Sequence, residues 1–381
     1  MRPSFFVPII IGLTLACSEK EPTPNVPTAA HASSATREKS FAASSDPRSR
    51  TLSRDDLAEA GPGNWRHDRQ VGDDVKLTEQ QRDEIAKLEA LGYMTGSREI
   101  INSGVTRHDP AHSFAGANFY TAGHAAEALL VDMKGRVLHR WAYDFGDAFP
   151  GSQVNRKPHD GSSWWCWAHL YENGDLIGIY SGVGIVKLNA RSELLWALPI
   201  PAHHDVATLE NGDVYVLTRH ARVIPHLNPD RPILEDFITL INSDGAVERS
   251  FSLIEAFEGT TFSDLWIRPG LEGDAMHTNA VELLDGRGSD REPAFRAGNL
   301  LVSLAYPNLI AVVDPATEKV VWAAREDFAS QHDPGVLEGG HILLFDNVGL
   351  EGSSRALELD PVDMSRIWQY SGSEEDPLFS F

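Results

Sequence analysis

Cysteine is nearly absent from this chain: 381 residues contain two, Cys17 and Cys166. No disulfide framework can be built on that, so a hydrophobic core has to hold the fold. Positive charge is also scarce, with 33 Lys and Arg against 55 Asp and Glu and a formal net charge of −22. Such a balance excludes nucleic acid and anionic lipid surfaces as natural partners. Long apolar runs are missing as well. The leading one, Phe5 to Leu15, falls short of the ~20 residues that a membrane-spanning helix requires. Nor is there a C-x-x-C pair, an H-E-x-x-H helix or a Gly-rich phosphate loop, which removes the zinc-hydrolase and nucleotide-binding classes.

The chain does carry an export signal. Arg2 precedes the apolar run, which ends Leu13-Thr14-Leu15-Ala16-Cys17 and turns polar at Ser18-Glu19-Lys20-Glu21-Pro22. This resembles a bacterial lipoprotein signal, with Thr14 where such signals prefer Leu; an ordinary secretory peptide is the alternative. The resemblance implies a signal over residues 1–16 and a lipidated Cys17 as the membrane anchor. Ser18 then implies an outer-membrane lipoprotein facing the periplasm of a Gram-negative cell. Residues 17–75 are rich in Ser, Ala, Pro and charge, the composition of a disordered tether. A short helix is expected within 76–95, with Thr78 as N-cap, Gln81 completing a capping box and Gly92 as the stop.

From about residue 100 to 381 the pattern is all-β. Short apolar runs such as Asp213 to Leu217, Leu300 to Leu304 and Ile342 to Phe345 are bounded by Gly, Asn and Asp. A second signature recurs: an apolar pair, Asp or Asn, a turn, then a strand ending in an aromatic. It occurs from Val131-Asp132 to Trp141, Leu188-Asn189 to Trp196, Ile241-Asn242 to Phe251, Val313-Asp314 to Trp322 and Leu359-Asp360 to Trp368. The aromatic endpoints are 55, 55, 71 and 46 residues apart, a period that suits four-stranded propeller blades with loop insertions. The competitor is a tandem β-sandwich. Five endpoints and the need to close a ring predict a six-bladed β-propeller over residues 100–381, with its last strands truncated or divergent.

Histidines recur in register with these strands. His204-Asp205 leads to Leu209-Glu210-Asn211-Gly212, and His332-Asp333 leads to Leu337-Glu338-Gly339-Gly340. A looser copy starts at His277. Innermost strands line the channel of a propeller, so His204 with its neighbour His203, His277 and His332 are expected around one mouth, with Asn279 and Asp333 beside them. Cys166 lies eight residues before Gly174, as His204 lies eight before Gly212, which points it to the same channel. Trp165, in the run Trp164-Trp165-Cys166-Trp167, is then a candidate wall for an aromatic ligand, or else core packing between blades.

Three motifs in this order, His203-His204-Asp205, Asp274-x-x-His277-x-Asn279 and Gln331-His332-Asp333, each ahead of an apolar strand, resemble the bacterial arylsulfate sulfotransferase family. The likeness runs from about Asn118 to the C-terminus. It implies a periplasmic six-bladed propeller that moves a sulfuryl group from a phenolic sulfate donor to a phenol acceptor, with no nucleotide donor and no cofactor. It also implies a ping-pong reaction through a sulfohistidine, with His332 matching the nucleophile, His277 a second active-site histidine and the His203-His204 pair a third. Imidazole chemistry suits this casting, because a neutral ring attacks, leaves and exchanges protons near pH 7. One departure stands out. The family has an arginine in a Ser-x-Arg context after the second histidine, where this chain reads Ser303-Leu304-Ala305. Losing that guanidinium costs about 2–4 kcal/mol of transition-state stabilisation unless Arg219, Arg268 or Lys187 replaces it. The alternatives are a lipid-tethered binding or scaffold propeller without activity, and a metal site built from Cys166, His204, His277 and His332. Calcium held by Asp205 and Asp333 is a further variant. The oligomeric state stays open.

Overall fold

The computed structural model describes residues 77–91, 96, 105, 108–111, 113–154, 160–349, 353–373 and 378. Cys17, the leader and the tether expected over 17–75 lie outside the described residues.

Among the described residues, twenty strands form five sheets in chain order. The first has three strands, β1 (Ala117–Thr121), β2 (Glu127–Asp132) and β3 (Val137–Ala142). The second has four: β4 (Trp167–Leu170), β5 (Leu176–Tyr180), β6 (Gly184–Leu188) and β7 (Leu194–Leu198). In the third, β8 (Ala202–Thr208), β9 (Val214–Ile224), β10 (Asn228–Ile241) and β11 (Val247–Ser252) are joined by a short parallel strand, β12 (Gly273–Asp274), on β10. The fourth contains β13 (Thr278–Leu283), β14 (Leu300–Leu304), β15 (Leu309–Asp314) and β16 (Lys319–Ala324). The fifth contains β17 (His332–Val336), β18 (Ile342–Asp346), β19 (Arg355–Leu359) and β20 (Arg366–Tyr370). Each is an antiparallel meander from its first strand to its last, so the chain is an all-β propeller. Five blades are formed among the described residues, where six were expected.

The recurring Asp or Asn explains why each blade turns where it does. Asp132, Asn189, Asn242, Asp314 and Asp360 each accept, through the side chain, the backbone N–H two residues on. This is the local bond that lets a short polar side chain stand in for a backbone turn. The five aromatic endpoints all fall on the last strand of a blade. Two of them clasp the neighbouring sheet: Trp141 Nε1 donates to Gly174 O at 3.0 Å, and Trp196 Nε1 donates to Ser243 O at 3.2 Å. The middle strands β5, β6, β14 and β15 are buried along their whole length, which is why they are apolar on both faces rather than alternating. Core packing runs between sheets. Ile177, Ile179 and Ile185 of the second meet Val206, Val214 and Val216 of the third. Leu301, Ile310 and Val312 of the fourth meet Val336, Ile342 and Leu344 of the fifth.

β9 and β10 are the longest strands, at 11 and 14 residues, and they carry the helix. Helix α1 (Glu79–Glu89) begins at Thr78, whose side chain accepts from Gln81 N–H while Gln81 returns a bond to the Thr78 N–H. Gln81 also donates to the carbonyls of Pro229 and Asp230 at 3.0 and 3.1 Å. The capping residue is thus also the docking residue.

Gly245 closes the β10–β11 turn with φ +81°, and a Cβ there would stand 2.5 Å from the Trp196 ring. Gly245→Ala is expected to destabilise the protein by about 2–4 kcal/mol, read as a lower urea midpoint at unchanged slope. An unchanged midpoint would mean that Trp196 is not seated in that turn.

Candidate active site

Three blades deliver imidazoles to one place. His203 and His204 come from β8, His277 immediately precedes β13, and His332 opens β17. Between His203 and Val206 the pairing of β8 with β9 shifts register, so His204 and Asp205 leave the ladder as a bulge. β17 shifts likewise between His332 and Gly335. Bulges re-aim side chains at the rims of sheets, and here they turn polar groups towards the mouth. The backbone is strained to do so. His204, His277 and Asp333 adopt left-handed φ values of 52°, 50° and 45°, conformations that cost a non-glycine residue of order 1–3 kcal/mol each.

The contacts are close. His203 Nδ1 lies 2.9 Å from His204 Nδ1, and the rings of His204 and His277 are 5.1 Å apart. His277 Nδ1 meets Asp274 Oδ2 at 2.7 Å, which anchors the ring through that nitrogen. Parallel pairing of β12 with β10 fixes Asp274 in that position. On the far side of the cluster, Nδ1 of His332 lies 2.9 Å from the Ser330 carbonyl, so its Nε2 is the nitrogen left for a substrate. Tyr306 stacks on His277 with centroids 4.6 Å apart, and it is 58% exposed.

Burial dominates the electrostatics. It holds His204 well below the usual imidazole range, reinforced by His203, His277, His332 and Arg219. It also lowers His203 and His332. These rings are therefore neutral near pH 7 and carry lone pairs, as a nucleophile or base requires. Cys166 is pushed the other way, to about 12, chiefly by burial. A thiol in that state is a poor metal ligand and a poor nucleophile. Among the described residues, no group of three or more His, Cys, Asp and Glu is arranged to hold a metal ion.

Several expected residues sit differently. Trp165 is fully buried, packed on Gly178 and Tyr180 in the core that joins the first two blades. It is core, not pocket wall. Asn279 is buried and donates to Gln331 O at 2.8 Å, which ties the fourth blade to the fifth. Asp333 remains at the mouth beside His332. The sequence repeat sets His332 against His204, whereas strand pairing equates it with His203: His203 faces Leu217 of β9 as His332 faces Phe345 of β18. The bulge accounts for the slip. Of the three cations expected to stand in for the arginine absent at Ala305, Arg268 is exposed and Lys187 lies 4.6 Å over the Tyr171 ring. Arg219 is buried, and its charge reaches His203, His204 and Cys166. Counted from the strand starts at Val214 and Leu300, it holds in the third blade the place that Ala305 holds in the fourth. Asp236, which meets His203 from β10, and Tyr306 were not among the expected site residues.

Comparison with known proteins gives one family. A sequence profile described as Arylsulfotransferase (ASST) matches residues 171–380. No curated protein matches the chain. Among solved structures the chain is similar to a protein of unknown function from Bacteroides caccae, at 12% identity and a TM-score of 0.42, covering 64% of this chain and 69% of that one. It is also similar to streptogramin B lyase, at 15% identity and a TM-score of 0.40, covering 67% of this chain and 65% of that one.

Three carboxyl groups, of Asp205, Glu282 and Asp333, lie on the same strands as the histidines or next to them. Asp205 is held well above the usual carboxylate range by burial and by Asp333, and burial lifts Asp333 to about 6. Glu282, whose carboxylate meets Val336 N–H at 3.2 Å, is raised from 4.5 to about 7, again mainly by burial. Between those pH values the folded chain keeps a proton on Glu282 that the unfolded chain has released. Its contribution to stability is therefore full below pH 4.5 and lost as pH rises through 7. Glu282→Gln keeps an acceptor for Val336 and removes the charge. It is expected to raise the melting temperature above pH 7 and to change it little near pH 4.5, so thermal unfolding at the two pH values checks the assignment.

Proposed function

Because the chain belongs to the arylsulfotransferase family, we propose that it transfers a sulfuryl group from a phenolic sulfate to a phenol in two half-reactions through a sulfohistidine. The observation that carries this reading is the gathering of four imidazoles from three blades at one mouth. His332 is the nucleophile: its Nδ1 is engaged by the Ser330 carbonyl, and its Nε2 attacks sulfur as the donor's phenolate leaves. His277, steadied by Asp274, and His204 exchange the phenolic proton. Peripheral sulfuryl oxygens need positive charge nearby, and Arg219 is the buried cation closest in role to the arginine missing at Ala305. Donor and acceptor are small aryl compounds, and no cofactor takes part.

The same proposal covers location and ring size. Cys17 anchors an exported protein to the outer membrane facing the periplasm. The propeller closes with a sixth blade, since Trp368 on the fifth sheet is 49% exposed where Trp141 on the first is 3%. A second reading, a binding propeller without turnover, draws on Ala305, which is buried with its N–H on the His277 carbonyl.

Turnover of a chromogenic aryl sulfate, with and without a phenol acceptor, separates the two readings. Acceptor-dependent release is expected in the parent protein, falling by at least about 10³-fold in His332→Ala. No release from a folded parent protein would favour the binding propeller, and release without acceptor would indicate hydrolysis. For location, Cys17→Ser is expected to move the protein from the membrane fraction to the soluble periplasmic fraction. An unaltered membrane fraction would remove the lipid anchor from the proposal.

A further inference from the structure

The strand that carries His332 is gripped from the blade before its own. Asn308, in the turn between β14 and β15, accepts the Ser330 N–H on Oδ1 at 3.0 Å. Gln331 is fully buried, and its Nε2 donates to the carbonyls of Leu304 and Leu309, at 3.1 and 2.9 Å, on either side of that turn. In return the Gln331 carbonyl accepts from Asn279 and Ser303 at 2.8 and 3.0 Å. Tyr306, which stacks on His277, belongs to the same turn. One turn of the fourth blade thus touches both His277 and the approach to His332.

Asn308 and Ser330 both have left-handed backbone, with φ of 51° and 50°. Asparagine visits that region readily, whereas serine is strained in it. The bend at Ser330 sets its carbonyl 2.9 Å from Nδ1 of His332, two residues on, and the bond to Asn308 holds the peptide there. A carbonyl oxygen has no hydrogen to give, so the hydrogen in that contact sits on Nδ1. Burial lowers His332, which leaves the ring neutral near pH 7 with a single N–H. Its lone pair is then on Nε2.

We propose that Asn308 is a positioning residue: through Ser330 it keeps the proton of His332 on Nδ1 in both half-reactions, so that Nε2 alone bonds to sulfur and leaves it. This rests on the sulfuryl-transfer reading. In the first half-reaction the Nε2 lone pair forms the bond to sulfur as the donor's sulfur–oxygen bond breaks. The electron pair of that bond stays on the phenolate oxygen, which takes the proton that His277 holds beside Asp274. In the second, the acceptor's oxygen bonds to sulfur, the N–S electron pair returns to Nε2, and the acceptor's proton goes to His277. The Nδ1 hydrogen of His332 never moves, and the free protein regains its starting form.

The fixed hydrogen matters most when sulfur departs. With Nδ1 protonated, the group that leaves sulfur is a neutral imidazole. Without that hydrogen it would be an imidazolate, a far stronger base and a poor leaving group. The Ser330 carbonyl also faces the positive charge that the ring carries while sulfur is attached.

Ring nitrogen signals test the assignment. In full-length protein labelled with nitrogen-15 histidine, a two-dimensional proton–nitrogen spectrum assigned with His332→Gln is expected to show His332 with Nδ1 protonated and Nε2 bare. Free histidine in water prefers the opposite tautomer, and that form on His332 would overturn the proposal whatever the activity. Asn308→Gly tolerates the left-handed turn and removes the acceptor for Ser330. Once thermal unfolding shows this variant folded, the Nε2–H form is expected to appear on His332. Its kcat is expected to fall about 10²-fold with KM little changed. Asn308→Asp restores the acceptor and is expected to restore the parent's tautomer. A folded Asn308→Gly protein that keeps the parent's tautomer, or its rate, would also overturn the proposal. The parent's spectrum needs neither a variant at Asn308 nor a substrate. A parent protein without transfer would therefore count against the reaction, while the ring assignment stands or falls on its own signals.

Discussion

Everything in the site depends on side chains of one blade holding the backbone of the next. Asp205 of the third blade accepts the Val281 N–H of the fourth at 2.9 Å, and Asp236 accepts Thr278 N–H at 2.7 Å. Glu282 of the fourth accepts Val336 N–H of the fifth, and Asn279 donates to the Gln331 carbonyl at 2.8 Å. Innermost strands of neighbouring blades share no backbone ladder, so their relative height along the channel is set by these bonds and by the packing behind them. They bring His204, His277 and His332 into one cluster. An unpaired buried carboxylate would be costly, and each of these finds an N–H in a neighbour, which makes blade order and site assembly one constraint.

That constraint explains why an acidic protein can host anionic chemistry. The net charge of −22 is spread over the whole chain, whereas burial raises the carboxyls of Asp205, Glu282 and Asp333 on the inner strands, and Asp205 and Glu282 are engaged by backbone N–H groups. What faces the mouth is a set of imidazoles, of which burial keeps His204 and His332 neutral, with Arg219 close behind. The local field is thus much less negative than the composition suggests.

Much of this was legible in the sequence because it is local. The Asp or Asn turns, the aromatic ends of the last strands and the Thr78–Gln81 capping box each involve a few consecutive residues with a physical signature. The convergence of histidines was legible because a repeat converts equal position into spatial proximity. Other features were hidden for equally physical reasons. The bulge at His204 and Asp205 offsets the sequence repeat from the strand register, so His203 rather than His204 is the pairing equivalent of His332. Trp165 precedes β4 in irregular chain, where no alternation tells which way a ring points. Asp236 reaches His203 across two strand pairings, and Arg219 matches Ala305 one blade away. Neither relation leaves a trace in linear spacing.

The left-handed backbone at His204, His277 and Asp333 has an evolutionary consequence. At such φ angles glycine is the residue of least strain, so a mutation to glycine at any of the three relieves the chain while removing a functional group. Selection for a sturdier fold and selection for the reaction therefore pull in opposite directions at these positions. A descendant freed from its chemistry has a downhill path, one codon at a time, towards a more stable and silent propeller.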